Sequence, residues 1–277
     1  PNRRWTYEEV KKWYNGIKQV IPGEGIGNTE VGDMNPYKFM GETYVEVAEL
    51  TKALALNWNE GKKQLFRGIL SGFFKGCNPE LAGFCIDAEE EATRVNGRDD
   101  MIFWKLLYKL SPNTTDFYWK GRAYQGLPAL GREILEKLWK TDTSNDTYYY
   151  EILEEKMLSN YVAIKADKNK ALADAVKGLE DGHKMADTGR AKKKNLYLMA
   201  YMLSGQKLMH FDGKDFRTVG EFADYMKELL DESYEKFEAV CHKLIDYEDN
   251  LDVQFESWLL ALGKKKELNS WREGLRN

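Results

Sequence analysis

The sequence predicts a mainly α-helical protein built from three related units. Each unit is expected to be a short β-hairpin followed by three to four helices, so that the whole forms an α-helical repeat array. The composition favours helices around a sizeable core, because 43% of the 277 residues are hydrophobic, 31% are charged and only 6 are proline. A short glycine-centred pattern also occurs three times, and apolar residues at helical spacing follow each copy.

Each copy of the pattern has an aromatic residue two positions before a glycine and another three positions after it. The glycines are Gly41, Gly121 and Gly213. The aromatic residues before them are Phe39, Trp119 and Phe211, and those after them are Tyr44, Tyr124 and Phe216. An x-Gly step between such residues is typical of a tight hairpin turn, in which both central residues need a positive φ. We therefore expect three hairpins, whose aromatic residues pack against the helix that follows.

The repeated pattern divides the chain into consecutive units. We expect residues 37–116 to form the first unit, residues 117–208 the second, and residues 209–277 a third that caps the array. A helix should follow each hairpin, and in the third unit Thr218 and Glu221 predict its capping box. Further helices are expected through Leu65 to Phe73 and at residues 79–94, 100–110, 147–163, 168–181, 194–203, 233–246, 252–262 and 266–275.

Residues 1–14 resemble the last helix in the C-lobe of eukaryotic-type protein kinases. The run from Pro1 to Thr6, followed by Glu9, Val10 and Trp13, is similar to the family's closing proline, arginine and capped helix. The resemblance implies that Arg4 is the arginine that pairs with a glutamate after the activation segment, and that Thr6 caps the final helix. It further implies that residues 1–15 are the end of a kinase-like domain, and that the chain is the C-terminal extension of a bacterial kinase-like protein.

The remainder of the kinase pattern does not occur in the chain. Residues 16–36 hold five glycines and two prolines and are expected to be a linker. Val162-Ala163-Ile164-Lys165 spells the strand that carries the ATP-binding lysine of kinases, but no glycine-rich loop precedes it. We expect the end of a helix there. Because the chain begins at Pro1 rather than at methionine, we also expect further sequence upstream.

Composition and spacing argue against several classes of function. A net charge of −4 does not favour non-specific electrostatic binding to nucleic acid. No apolar run approaches the roughly 20 residues of a membrane span, so no membrane partner is expected. The histidines are scattered, and the cysteines are odd in number and lack metal-ligand spacing, so we expect no metal, no cofactor and reduced thiols in the cytoplasm. These residues are His183, His210, His242, Cys77, Cys85 and Cys241.

The leading hypothesis is a non-catalytic protein-interaction or regulatory domain that binds a protein partner or its own kinase-like domain. A basic cluster is a possible contact surface, although a solvated helix end would also explain it; it comprises Arg190, Lys192, Lys193 and Lys194. Four large aromatic residues fit either the core or a binding surface: Phe74, Trp104, Trp139 and Trp258.

Two alternatives belong to other functional classes. One is an enzyme with an acid–base site built from scattered carboxylates, for which the diagnostic feature is a deep pocket that holds two of them. The other is nucleic-acid binding through the Lys and Arg clusters, for which the diagnostic measurement is a mobility shift at low salt. No catalytic residue is assigned by the sequence.

Overall fold

The computed structural model describes residues 34–140, 146–165, 169–245 and 250–274. The expected kinase-like segment at residues 1–15 and most of the expected linker lie outside these ranges. Within them the protein is mainly helical, and its strands pair as two-stranded hairpins. This confirms the predicted fold class at that level.

The elements occur in three successive groups, each of which begins with a hairpin. The first group has strands β1 (Tyr37–Phe39) and β2 (Glu42–Tyr44) and helices α1 (Val47–Leu56), α2 (Trp58–Phe66), α3 (Ile69–Lys75), α4 (Pro79–Arg94) and α5 (Asp99–Leu110). The second has β3 (Phe117–Trp119), β4 (Arg122–Tyr124), α6 (Gly126–Trp139), α7 (Asp146–Glu154), α8 (Met157–Ile164), α9 (Lys170–Met185) and α10 (Gly189–Ser204). The third has β5 (Met209–Phe211), β6 (Lys214–Phe216), α11 (Val219–Glu232), α12 (Tyr234–Lys243), α13 (Val253–Ala261) and α14 (Lys265–Gly274).

The three hairpins share one local structure. The glycine of each turn has a φ of 73–89°, and the residue before it also has a positive φ: Met40 at 52°, Lys120 at 38° and Asp212 at 51°. Phe39, Trp119 and Phe211 each end the first strand of their hairpin. The predicted x-Gly turns are thus confirmed, and the backbone explains why glycine occupies the second turn position.

The helices after the first two hairpins are more numerous than predicted. Five described helices follow each of them, because two expected helices are each divided in two. The predicted helix through Leu65 and Ile69 breaks at Gly68, with φ 71°, and the one predicted at 147–163 breaks at Lys156, with φ 55°. The prediction of single helices was wrong because apolar residues are buried on both sides of each break, so their spacing gives no sign of it.

The chain divides into two compact units at the second hairpin. The first unit runs to Thr114 and includes Tyr118–Ala123, and the second comprises Thr115–Phe117 and the chain from Tyr124 onward. The predicted boundary between residues 116 and 117 lies at this division, whereas the one between residues 208 and 209 lies inside the second unit. The organisation into three units stays a prediction.

An aromatic core surrounds the tip of the second hairpin in the first unit. The Nε1–H of Trp104, which is fully buried, donates a hydrogen bond to the carbonyl oxygen of Tyr118 at 2.8 Å. The Tyr108 hydroxyl accepts a hydrogen bond from the Tyr118 N–H at 3.0 Å. The rings of Trp58 and Trp119 meet edge to face with centroids 5.7 Å apart. These bonds satisfy the hairpin's backbone where water is excluded.

The core of the second unit lies between α6, α10 and α13. Trp258 on α13 is fully buried, and its Nε1–H donates a hydrogen bond to the Lys207 carbonyl at 3.0 Å. The rings of Phe255 and Phe222 pack beside it. Trp104, Trp258 and Phe74 are therefore core residues, while Trp139 is only half-buried.

Candidate functional site

The first turns of α10 carry the predicted basic cluster. Thr188 is the N-cap of this helix, and its hydroxyl accepts a hydrogen bond from the Ala191 N–H at 3.1 Å. Residues 190 and 194 are four apart, so they lie on one face of the helix, and Lys192 lies on another. The helix thereby directs the basic side chains to two different sets of neighbours.

One set is centred on Glu256, a carboxylate on α13 that is only 5% exposed. The Arg190 Nη2 lies 2.6 Å from its Oε2, and the Arg272 Nη2 lies 2.6 Å from its Oε1. Lys194 also donates to Oε1, and Arg190 donates to the Leu251 carbonyl at 2.6 Å. A buried carboxylate needs such partners, since its desolvation is otherwise costly. Arg190 and Lys194 therefore bind within the protein and link α10 to α13.

The other set is centred on Glu154 of α7. Its Oε1 lies 3.6 Å from the Lys192 Nζ and 3.4 Å from the Nε2 of His183. The His183 side chain is only 1% exposed, and this burial lowers its pKa although the Glu154 carboxylate opposes the shift. Half of the Glu154 side chain remains exposed, so Lys192 and Glu154 meet at the surface above a buried histidine.

Two further carboxylates have raised pKa values: Glu180, which is buried, and Asp252, which is half-buried. Burial raises the pKa of Glu180 on α9, although the Ser159 N–H, which donates to it at 3.0 Å, opposes the shift. Burial also raises the pKa of Asp252, whose Oδ1 accepts a hydrogen bond from the Phe255 N–H at 2.9 Å and so caps α13. The charge of Lys193 acts on Asp252 and favours its ionised form.

We refer to the charged side chains on and around the first turns of α10 together as the α10 basic surface. Its cationic side chains are Arg190, Lys192, Lys193, Lys194 and Arg272, and its carboxylates are Glu154, Asp252 and Glu256. This named set holds five cations and three carboxylates, an excess of positive charge within a chain whose net charge is −4.

The predicted acid–base alternative would need a pocket with two carboxylates. A pocket of about 460 Å³ in the first unit is lined by α2 and by the start of α5, and Asp99 is the one carboxylate among its described lining residues. Another of about 400 Å³ in the second unit lies beside Cys241 and Trp271, and none of its described lining residues is a carboxylate. Neither pocket pairs the groups that proton transfer in both directions requires.

Metal binding and membrane insertion find no support in the described residues. Among them, no group of three or more His, Cys, Asp or Glu side chains is placed to hold a metal ion. In the same ranges no helix has the length and apolar character needed to cross a membrane. The segment Val162–Lys165 forms the end of α8, as expected, and is not a strand.

Sequence reasoning identified the basic cluster but missed its acidic partners. Glu256 lies 66 residues from Arg190 and 62 from Lys194 along the chain, and no sequence pattern relates them. The prediction that the four basic residues contact a partner stays a prediction, with two of them now assigned to internal bonds.

Comparisons with models of known protein families, with curated proteins and with solved structures gave no match. The resemblance of the first 14 residues to kinases therefore rests on those residues alone.

Proposed function

We propose that this chain is a non-catalytic protein-interaction or regulatory domain attached to a kinase-like protein. The observation that supports it best is the α10 basic surface, a cluster of cations held on packed helices. Ion pairs with Glu256 fix Arg190 and Lys194 in place before any partner arrives, so little side-chain freedom is lost on binding. The partner is a protein that presents carboxylates, and the domain's own kinase-like neighbour is one candidate.

Three related units are part of this proposal. The three hairpins have matching turns, and the first two are each followed by five described helices. The fourth of these, α4 and α9, is a 16-residue helix in both groups. Repeat units that stack side by side produce an extended surface suited to binding. We place the domain in the cytoplasm of a bacterium, in accord with its three free cysteines.

The test is a charge reversal on this surface. A Lys192→Glu, Lys193→Glu variant keeps the Glu256 bonds and changes the surface charge, and Lys177→Glu, Lys184→Glu makes the same change on exposed lysines of α9. Immobilised proteins would be incubated with nuclease-treated bacterial lysate at physiological salt, and retained proteins would be identified by mass spectrometry. We expect at least one protein that is retained by the wild type and by the Lys177→Glu, Lys184→Glu variant (the α9 variant). The same protein should not be retained by the Lys192→Glu, Lys193→Glu variant (the α10 variant).

Equal retention by all three proteins would overturn the assignment of this surface. A mobility shift of nucleic acid at low salt, lost only in the α10 variant, would instead favour the nucleic-acid alternative.

A further inference from the structure

The first hairpin has an outward face on which Lys38, Met40 and Thr43 are exposed. Its residues alternate, since Tyr37 and Phe39 are buried while Lys38 is exposed and the Met40 side chain is 57% exposed. Met40 has a φ of 52°, a region that Asn, Asp or Gly adopts more readily. The turn itself therefore gives no reason for a large apolar side chain at this position.

The same face of the second hairpin shows how such a tip is buried. There Tyr118 takes the place of Lys38 and is 2% exposed beside Tyr108, while Lys120 takes the place of Met40. The Lys120 Nζ lies 3.4 Å from the Asp100 Oδ2. The face thus binds helices through one apolar and one cationic residue. The first hairpin offers the same two kinds of residue in the reverse order.

A matching pocket lies in the second unit, between α12 and α14. It measures about 400 Å³, within the range of roughly 300–1,000 Å³ common for binding clefts. Apolar side chains and a thiol form most of its wall: Cys241, Leu244, Ile245, Leu251 and Trp271. Burial raises the pKa of Cys241, so the thiol is neutral, and none of the described lining residues carries a charge.

A carboxylate lies beside this pocket. Glu238 is three residues before Cys241 on α12, hence on the same face of the helix, and its charge also raises the pKa of the Cys241 thiol. Within the described ranges, neither Glu238 nor Lys38 belongs to an ion pair. The two charges are complementary, as those of Lys120 and Asp100 are in the second hairpin.

We propose that the first hairpin of one copy of this chain docks into the α12–α14 pocket of a second copy. Met40 enters the apolar pocket, and Lys38 pairs with Glu238 at its rim. The two surfaces are different, so the contact is heterologous and can repeat from copy to copy. One side chain and one ion pair bury little area, so the association is weak and appears at high protein concentration. None of the residues in this contact belongs to the α10 basic surface.

Disulfide trapping tests the contact directly. In a Cys77→Ser background, Met40→Cys is combined with the native Cys241, while Cys85 is fully buried. Equal amounts of isotopically light and heavy protein are oxidised with copper phenanthroline and digested for mass spectrometry. We expect a disulfide between position 40 of one copy and Cys241 of another. Its rate of formation should be about ten times that of the disulfide between the control cysteine and Cys241. The control is Met185→Cys, since Met185 is 83% exposed on a helix end.

Charge exchange provides the second measurement. Lys38→Glu and Glu238→Lys should each slow the trapping, and the double variant should restore its rate. Equal rates at positions 40 and 185, links only within one copy, or links from position 40 to position 40 would overturn the proposal. Each of these outcomes leaves the retention experiment on Lys192 and Lys193 unaffected, so the two proposals fail separately.

Discussion

Gly131 on α6 marks the closest approach of that helix to α10. A Cβ atom at this position would lie 2.4 Å from the Ser204 nitrogen, 2.9 Å from the Ala200 oxygen and 2.9 Å from the Leu203 Cβ. Two of these atoms belong to the backbone of α10 and cannot turn away as a flexible side chain would. Gly131→Ala must therefore move the two helices apart.

The size of the effect follows from two opposing contributions. Alanine stabilises a helix over glycine by about 1 kcal/mol, while overpacking a core costs about 1–3 kcal/mol. Because the clash involves backbone atoms, we take the overpacking cost at the upper end of its range, about 3 kcal/mol. Subtracting the gain of about 1 kcal/mol from alanine, we expect the free energy of unfolding to fall by about 2 kcal/mol. For a protein of this size that lowers Tm by roughly 4–8 °C.

Gly178 on α9 provides the matched control. A Cβ atom there would meet no heavy atom within 4 Å, so Gly178→Ala should raise the free energy of unfolding by roughly 0.5–1 kcal/mol. Scanning calorimetry of the wild type and the two variants measures both effects. A rise in Tm for Gly131→Ala, like that expected for Gly178→Ala, would refute the close approach of α6 and α10.

Three further predictions concern single side chains. Because burial lowers the pKa of His183 from 6.5, the unfolded chain binds more protons there in acid, and stability is lost as pH falls below about 6.5. His183→Gln should reduce that loss of stability in melting scans from about pH 7 to pH 5. His242→Gln, which changes an exposed histidine, should not reduce it. Equal slopes of Tm against pH for the two variants would contradict the role of His183. Arg190→Ala should lower the free energy of unfolding in urea by about 1–3 kcal/mol, because a partner of a buried carboxylate is lost. Lys193→Ala should lower it by less than about 0.5 kcal/mol. Similar losses for the two variants would count against the Glu256 cluster. Thr218→Ala should lower the free energy of thermal unfolding by about 0.5–2 kcal/mol, because a helix cap is lost. Thr218→Ser should keep most of the stability, since serine can make the same hydrogen bond. An alanine variant as stable as the wild type would exclude a stabilising cap.

Elements with local signals were predictable from the sequence. The turn at Asp212-Gly213 has the positive φ angles expected of that dipeptide. The helix predicted at residues 79–94 has these bounds, and the Asn78 side chain accepts a hydrogen bond from the Leu81 N–H at 3.2 Å at its start. The Thr218 hydroxyl accepts a hydrogen bond from the Glu221 N–H, as the predicted capping box requires, but the Glu221 carboxylate accepts from the Arg217 N–H and not from that of Thr218, so one half of the box forms. Caps and turns involve residues within four positions, so short patterns contain the relevant chemistry.

Features that depend on distant residues were not predictable. The helix breaks at Gly68 and Lys156 interrupt segments whose apolar spacing continues. The role of the basic cluster depended on Glu256, which folding brings to Arg190 from 66 residues away. Periodicity reports which face of a helix is apolar, and it does not report what that face or its charges will meet.

The sequence by itself determined the mainly helical character, the positions of the three hairpins and the turn at each glycine. These depend on backbone dihedral angles and hydrogen bonds between near neighbours, which the residue types restrict directly. Only the tertiary structure decided that the chain packs as two compact units, that Arg190 and Lys194 serve a buried carboxylate, and that Met40 remains exposed. The physical reason is that burial and ion pairing depend on which distant surfaces exclude water from each other, and this is settled only when the helices pack.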